Sequence, residues 1–171
     1  MVEHEDVTIR PATADDAAAI AEVHVRSWQE AYAGIVPAEH LSGLDARART
    51  PQWAEMLRTG PDDHVRTLVA QRGPAVLGFA SYGPPRDEDA RRGDREIYSI
   101  YLDPGTWGRG VARDLMRSVI DETRAPLTLW VLAANERARH FYRRHGFQPD
   151  GVERLEQVGG TDLLEVRYRR G

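Results

Sequence analysis

A glycine-rich turn joins a strand-like segment to an amphipathic helix in the middle of this 171-residue chain, in the stretch LDPGTWGRGVARDLM at residues 102–116. Glycine costs a helix about 1 kcal/mol relative to alanine, so Gly108 and Gly110 indicate a backbone that must remain uncovered. The N–H groups of a first helical turn bind anions, and Arg109 and Arg113 add positive charge nearby. The turn therefore predicts a phosphate site, with an ordinary strand-to-helix corner as the alternative.

Two common phosphate-binding motifs do not fit this turn. A dinucleotide fingerprint needs a small residue at position 113 and an acid about 20 residues further on, but that position is arginine and the next strand-like segment, LTLWVL, has no acid. A P-loop needs lysine, and all 23 basic residues are arginine. A diphosphate held mainly by main-chain amides remains.

The order of strand-like and helical segments predicts a single α/β domain over residues 1–171. The charged stretch 86–95 is interpreted as a solvated hairpin loop. Residues 36–60 are expected to form one or two short helices split near Pro51. The other predicted helices cover residues 15–32, a stretch that begins at residue 111, and 135–145; the predicted strands cover 7–11, 65–71, 75–82, 96–102, 127–132, 147–157 and 162–169.

Composition excludes several classes of function. With no cysteine and no lysine, the chain has no disulfide, no cysteine nucleophile and no Schiff-base catalyst. A net charge of −4 argues against a nucleic-acid partner, and no apolar run is long enough to span a membrane. The histidines lack zinc-site spacing, so no metal is expected. The acidic N-terminus lacks a signal-peptide core, so we expect a cytoplasmic protein.

Two motifs resemble those of the GNAT N-acetyltransferase superfamily. The stretch IYLDPGTWGRGVARDLM is similar to its acetyl-CoA-binding motif, Gln/Arg-x-x-Gly-x-Gly/Ala, in which Gly110 and Ala112 match and Trp107 replaces the usual Gln or Arg. The stretch NERARHFYRRHGF, residues 135–147, resembles the second signature of the family. Its matching positions are Asn135, Ala138, Phe141, Tyr142, Gly146 and Phe147.

The resemblance implies the fold and donor of the family. The fold is a mixed, mostly antiparallel sheet of about seven strands, flanked by helices and splayed between the fourth and fifth strands. The donor is acetyl-CoA, with its diphosphate on the glycine turn and its pantetheine arm along the splayed strand and Asn135, which also suits a helix N-cap. The implied donor-binding residues are Ile100, Tyr101, Leu102, Gly108, Arg109, Gly110, Val111, Ala112, Arg113, Asn135 and Tyr142.

The implied reaction is direct acetyl transfer from the thioester to an amine. Tyr142 is the candidate acid for the leaving thiolate, with a core aromatic as the alternative. Glu96 is the candidate base, with a solvated strand-end charge as the alternative. Alternation puts Glu96 on one strand face with Tyr98, Ile100 and Leu102 unless a bulge intervenes. Trp130 occupies the position of the acidic base of the N-terminal-acetylating branch.

Aromatic residues are the candidates for binding the acceptor amine, because rings attract an ammonium group. The candidates are His24, Trp28, Tyr32, Tyr82 and Tyr98, and a place in the core is the alternative for His24 and Trp28. We expect a small molecule or amino acid as the acceptor. A protein or peptide acceptor and a non-catalytic CoA-sensing domain are the alternatives. The resemblance also implies a possible homodimer formed through the terminal strands.

Overall fold

Seven strands form one mixed sheet in the computed structural model, which describes residues 6–58 and 65–171. The strand order is β1-β2-β3-β4-β5-β7-β6, and β4 and β5 run parallel, whereas the other neighbours are antiparallel. This confirms the predicted sheet. The strands are β1 Thr8–Pro11, β2 Arg66–Arg72, β3 Ala75–Gly83, β4 Arg95–Leu102, β5 Leu127–Leu132, β6 Gln148–Val158 and β7 Thr161–Arg170.

Five α-helices within the described ranges cover the two faces of this sheet. Alternation along β2 shows the division: Leu68 and Ala70 pack with the face that carries the fourth helix, and Val69 between them packs with the first. No helix in the described residues is long and apolar enough to cross a membrane. The helices are α1 Ala17–Ala31, α2 Ala38–Ser42, α3 Ala46–Arg58, α4 Val111–Thr123 and α5 Glu136–Arg144.

The parallel pair β4–β5 diverges almost as soon as it forms. Only two residue pairs join these strands, Arg95 with Leu127 and Glu96 with Thr128. On its other side, β4 stays paired with β3 as far as Leu102. The amide of Asp103 donates to the carbonyl of Leu77 in β3 at 2.7 Å. Because antiparallel pairing alternates, the amides of Leu102 and Ile100 point away from β3, into the gap. The predicted splay between the fourth and fifth strands is confirmed.

A bulge at Tyr98 changes which residues of β4 share a face. Ser81 pairs with Ser99 while Tyr82 pairs with Ile97, so Tyr98 is the extra residue. Ile97 therefore joins Ile100 and Leu102 in the core under α4, and Tyr101 lies on the opposite face. Simple alternation, which put Glu96 with Ile100 and Leu102, is wrong here.

The break between α2 and α3 lies at residues 43–45, and the expected split near Pro51 is wrong because this proline lies inside α3. The carboxylate of Asp45 accepts the N–H of Arg47 at 3.0 Å and so supports the helix start. Pro51 removes one helical hydrogen bond, which the packing of α3 on α1 through Trp53 and Leu57 offsets. The predicted residues 59–60 of this segment, and the N-terminal residues 1–5, lie outside the described ranges.

The charged stretch 86–95 connects the antiparallel strands β3 and β4 and is mostly exposed, as interpreted from the sequence, but three of its carboxylates also bind arginines of β7. Arg167 of β7, only 8% exposed, donates to three carboxylates, two of which lie in this stretch. Arg169 of β7 donates to both oxygens of buried Asp94, at 2.8 and 3.1 Å. These ion pairs hold the β3–β4 connection on the β5–β7 part of the sheet. The partners of Arg167 are Asp87, Asp89 and Asp150.

We expect Asp94→Asn to make the stability of the protein less sensitive to acid. Hydrogen bonds from Arg169, opposed by burial, lower the pKa of Asp94 below its ordinary 3.8. A lowered folded-state pKa stabilises the fold above about pH 4, and this contribution is lost as the pH falls through the folded-state pKa. The variant should lose about 1–2 kcal/mol of unfolding free energy at pH 7 and less at pH 3, measured by urea denaturation.

The matched control is Asp162→Asn, because Asp162 is an exposed carboxylate on β7, the strand that carries Arg169, and has no ion pair among the described residues. The control should follow the wild type at both pH values. Equal losses for Asp94→Asn at pH 7 and pH 3 would contradict a role for its charge.

Candidate active site

The gap between β4 and β5 opens into a cleft of about 1150 Å³, lined by the sheet, the start of α4, α5 and the end of α1. Fourteen of the seventeen site residues predicted from the sequence line it. His24, Arg109 and Tyr82 are the three exceptions among them. The splay, the glycine turn and the second motif therefore meet in one place.

The glycine turn leaves the N-terminus of α4 uncovered. Gly108 and Gly110 have φ angles of +78° and +82°, a left-handed conformation that favours glycine. A Cβ at Gly108 would have nothing within 4 Å, and one at Gly110 would lie 2.9 Å from Nη2 of Arg113. Gly110 is the N-cap and provides no side-chain cap, so the first-turn N–H groups remain open to an anion.

Trp107, which replaces the usual Gln or Arg, packs its ring against an arginine. The guanidinium of Arg137 in α5 lies 3.9 Å from the ring centre, and the indole N–H donates to the carbonyl of Leu102 at 3.3 Å. Sequence reasoning missed Arg137, although the arginine-rich sequence of α5, ERARHFYRR, was a signal for it. Positive charge is thus present at this turn without the usual side chain.

Asn135 lies at the start of α5, at the same edge of the sheet as the glycine turn. Its side-chain oxygen accepts the N–H of Ala138 at 3.2 Å, so it is the N-cap of the helix. It also lines the cleft, where its side-chain NH₂ group remains a donor. The capping role and a binding role are therefore compatible in one residue.

Tyr142 of α5 projects into the cleft from a base of aromatic rings. Its ring centre lies 6.0 Å from that of Phe147 and 6.4 Å from that of Tyr168. Burial, with a smaller contribution from Tyr101, raises the pKa of Tyr142 well above its ordinary value. Its hydroxyl has no hydrogen-bond partner among the described residues, so it is a neutral proton donor open to a ligand.

Glu96 is buried in the cleft at 1% exposure, so the alternative of a solvated strand-end charge is wrong. Arg86 holds both of its carboxylate oxygens. The backbone N–H of Arg86 donates to Oε1 at 3.0 Å, and its guanidinium donates to Oε2 at 2.6 and 3.2 Å. Arg86 also lies 4.5 Å from the ring centre of Tyr98, whose hydroxyl donates to the carbonyl of Pro84.

An aromatic wall of Trp28, Tyr32 and Tyr101 closes the α1 side of the cleft. The hydroxyls of Tyr32 and Tyr101 are 3.3 Å apart, and the rings of Trp28 and Tyr32 pack edge to face at 4.9 Å. His24 stacks on Tyr101 from behind at 5.3 Å, and burial lowers the pKa of His24 to about 4. His24 is therefore a neutral core residue at pH 7.

Tyr82 lies on the other face of the sheet, although the sequence suggested a place in the acceptor pocket. Alternation along β3 puts it in the core under α4 together with Ala80. Its hydroxyl donates to Glu122 at 2.5 Å, and Glu122 also pairs with Arg66. Tyr82 is therefore not part of the acceptor site that the structure supports.

Charge divides the cleft into two ends. The arginine end is formed by α4 and α5, and the acid end is formed by α1, β4, β6 and β7. Arg86 and Arg154 also line the acid end, where they pair with Glu96 and Glu165. The arginine end contains Arg113, Arg117, Arg137 and Arg144, and the acid end contains Glu30, Glu96, Glu156 and Glu165. Sequence reasoning missed Glu165 and Arg154, because each lies in an ordinary amphipathic strand.

Comparison with known proteins agrees with this geometry. The model of the Acetyltransferase (GNAT) family matches residues 21–147. The uncharacterized N-acetyltransferase YuaI of Bacillus subtilis (strain 168) is 32% identical over 167 residues, which are 94% of this chain and 90% of the relative. The N-alpha-acetyltransferase RimI of Mycobacterium tuberculosis (strain ATCC 25618 / H37Rv) is 32% identical over 110 residues, 63% of this chain and 68% of the relative.

A solved structure shows the same fold. The PaiA N-acetyltransferase from Thermoplasma acidophilum, in complex with coenzyme A, superposes with a TM-score of 0.73 at 20% identity, over 96% of this chain and 98% of that one. The chain belongs to the GNAT acetyltransferase family, and it is an N-acetyltransferase.

Within residues 6–58 and 65–171, no group of three or more His, Asp or Glu side chains is placed to hold a metal ion.

Proposed function

We propose that this protein transfers an acetyl group from acetyl-CoA directly to the primary amine of a small molecule. The observation that carries this proposal is the division of charge in the cleft, with four arginines at one end and, at the other, four glutamates that outnumber the two arginines paired with them. A phosphate-bearing donor suits the arginine end, and an amine acceptor suits the acid end. The family and its coenzyme A-bound neighbour support the same donor.

The residues of the chain fit acetyl-CoA at the open turn. The N–H groups that follow Gly108 and Gly110 would hold the diphosphate, supported by Arg113 and Arg137. The free amides of Ile100 and Leu102 would hold the pantetheine arm and the thioester carbonyl oxygen in the gap. When bound, acetyl-CoA supplies an activated acetyl group on a sulfur that can leave.

The side chains around the gap donate and accept the protons of the transfer. The amine nitrogen forms a bond to the acetyl carbon as the carbon–sulfur bond breaks. Tyr142 donates its proton to the leaving sulfur, because a tyrosine hydroxyl is protonated at neutral pH and this one has no other hydrogen-bond partner among the described residues. Glu96 takes the amine proton through a water molecule. Three N–H groups of Arg86 already donate to its two carboxylate oxygens, which leaves little room for direct contact with the amine. Glu96 then releases its proton to solvent, and the tyrosine regains one from solvent.

A peptide acceptor is the second candidate, and its support is the likeness to the relative named as an N-alpha-acetyltransferase. The aromatic wall favours a small molecule, because Trp28, Tyr32 and Tyr101 close one side of the acceptor region. Trp130 also stands where the N-terminal-acetylating branch has its acid. The open hydroxyl of Tyr142 favours catalysis over a CoA-sensing role.

Cytoplasmic localisation, a single domain over residues 1–171 and a homodimer remain predictions. The support for a dimer is an exposed apolar pair on the terminal hairpin. Leu155 and Leu164 face each other across β6 and β7, at 66% and 42% exposure. Exposed apolar groups of this kind are common at contacts between proteins.

Thiol release tests the proposed function. The purified protein is incubated with acetyl-CoA and amino acids, amino acid amides, diamines or short peptides, and free CoA thiol and acetylated amine are measured together. Equal amounts of both products from a small amine are expected. Acetyl-CoA binding without thiol release from any acceptor would contradict the proposal, and acetylation of peptides alone would favour the second candidate.

We expect Gly108→Ala to weaken acetyl-CoA binding about tenfold, because a methyl group would occupy the bare approach to the N-terminus of α4. The matched control is Gly151→Ala. Both glycines have a φ angle near +80° or +90°, and a Cβ added at either would have nothing within 4 Å, so both variants carry the same backbone strain of about 1 kcal/mol. Calorimetry should show weaker acetyl-CoA binding for Gly108→Ala alone. Equal effects would show that the glycine serves only the fold.

We expect Tyr142→Phe to lower kcat about 100-fold while the KM for acetyl-CoA changes little, because the variant keeps the ring and loses the donated proton. The control is Tyr82→Phe, which removes a tyrosine hydroxyl outside the cleft and should lower the unfolding free energy by about 1 kcal/mol without changing kcat. Full turnover by Tyr142→Phe would eliminate it as the acid.

A further inference from the structure

Glu165 of β7 is a carboxylate of the cleft that the proposed transfer does not use. It pairs with Leu132 at the end of β5, and its side chain is 14% exposed. Burial is the main cause that raises the pKa of both Tyr32 and Tyr101, and the negative charge of Glu165 contributes in each case. Glu165 also lines the cleft. Its ladder partner Leu132 belongs to the buried cluster that packs against Trp28 and Tyr32, so the carboxylate lies on the acceptor side, near the aromatic wall.

Glu165 has more free hydrogen-bonding capacity than Glu96. Glu96 accepts three N–H groups, whereas Glu165 accepts one, from Nε of Arg154 to its Oε1 at 2.9 Å. Its Oε2 has no partner among the described residues. Arg154 is partly exposed, and its guanidinium lies 4.1 Å from the ring centre of Trp130. One oxygen of Glu165 thus remains free for a ligand in the cleft.

The surroundings of Glu165 suit a positively charged group. Glu30 and Glu156 line the same end of the cleft without an ion-pair partner among the described residues, so the acid end carries a net negative charge. The wall supplies aromatic rings, which attract ammonium groups. Tyr32, Tyr101 and Tyr142 all line this cleft, so the wall lies in the same opening as the proposed acid.

We propose that Glu165 is the acceptor-binding carboxylate, which holds an ammonium group of a small, net-positive amine against the rings of Tyr32 and Tyr101. The proposal rests on the proposed acetyl transfer and adds the charge class of the acceptor to it. The neighbouring Arg154 limits the negative charge of Glu165, so Arg154 opposes the same interaction. Removing one partner or the other should therefore change acceptor affinity in opposite directions.

Two probes of equal length test the charge class. The first is 1,4-diaminobutane, which has two ammonium groups, and the second is 4-aminobutanoate, which replaces one of them by a carboxylate. The wild type should acetylate 1,4-diaminobutane with a KM lower by about tenfold or more. Preference for 4-aminobutanoate, or acetylation of other amines but not of 1,4-diaminobutane, would overturn the proposal and leave the acetyltransferase function intact. No thiol release with any amine would instead contradict the proposed function.

Variants of the ion pair test Glu165 itself. Glu165→Gln keeps the shape and the hydrogen bond to Arg154, and it should raise the KM for 1,4-diaminobutane about tenfold or more with kcat within about twofold. Arg154→Gln should lower that KM, which a structural role of the pair would not produce. An unchanged KM in Glu165→Gln, or an unchanged or higher KM in Arg154→Gln, would overturn the proposal.

The control variant is Glu153→Gln, because Glu153 is an exposed carboxylate next to Arg154 on β6 and outside the cleft lining. It should leave the KM for 1,4-diaminobutane unchanged. Calorimetry with acetyl-CoA should give the same affinity for all three variants and the wild type, which shows that the donor end is folded. If Glu165→Gln binds acetyl-CoA with a different affinity from the wild type, the direction of the KM change in Arg154→Gln decides the proposal.

Discussion

The early divergence of β4 from β5 is the constraint on which the rest of the structure depends. Two residues of each strand pair, and beyond them the amides of Ile100 and Leu102 point into a gap. Buried backbone groups need hydrogen-bond partners, so an extended ligand in the gap satisfies what a neighbouring strand would otherwise satisfy. The same gap brings the starts of α4 and α5 to one edge, where their free N–H groups and arginines suit an anion.

Ion pairs hold the opposite end of this opening together. Arg167 and Arg169 of β7 hold the β3–β4 connection, and Arg86 from that connection holds Glu96 where β4 and β5 still pair. Guanidinium groups suit this role because each donates several N–H bonds in a fixed plane. The result is a cleft with acids and paired arginines at one end and an excess of arginines at the other, a charge arrangement that suits two substrates of opposite charge.

Much of the fold was predictable because its signals are local. The apolar stripe that contains Val111, Leu115 and Val119 predicted α4, and the predicted strands match the observed ones to within one residue at every boundary. The bulge at Tyr98 was not predictable, since it depends on how β4 pairs with β3. Because of the bulge, Glu96 and Ile100 lie on opposite faces of β4, whereas simple alternation puts them on the same face. The bulge therefore decides which side chains of β4 reach the acceptor.

By itself, the sequence determined the order of the elements, the bare turn at Gly108 and Gly110, and the family signatures that lead to Tyr142 and Asn135. These features depend on residues a few positions apart, where periodicity and backbone preference act. Only the tertiary structure decided that Tyr82 lies outside the cleft, that Arg137 covers Trp107, and that Glu165 lines the same cleft as the aromatic wall. Contacts such as that of Arg167 with Asp89 join residues 78 positions apart, and no local pattern specifies which distant charges will meet.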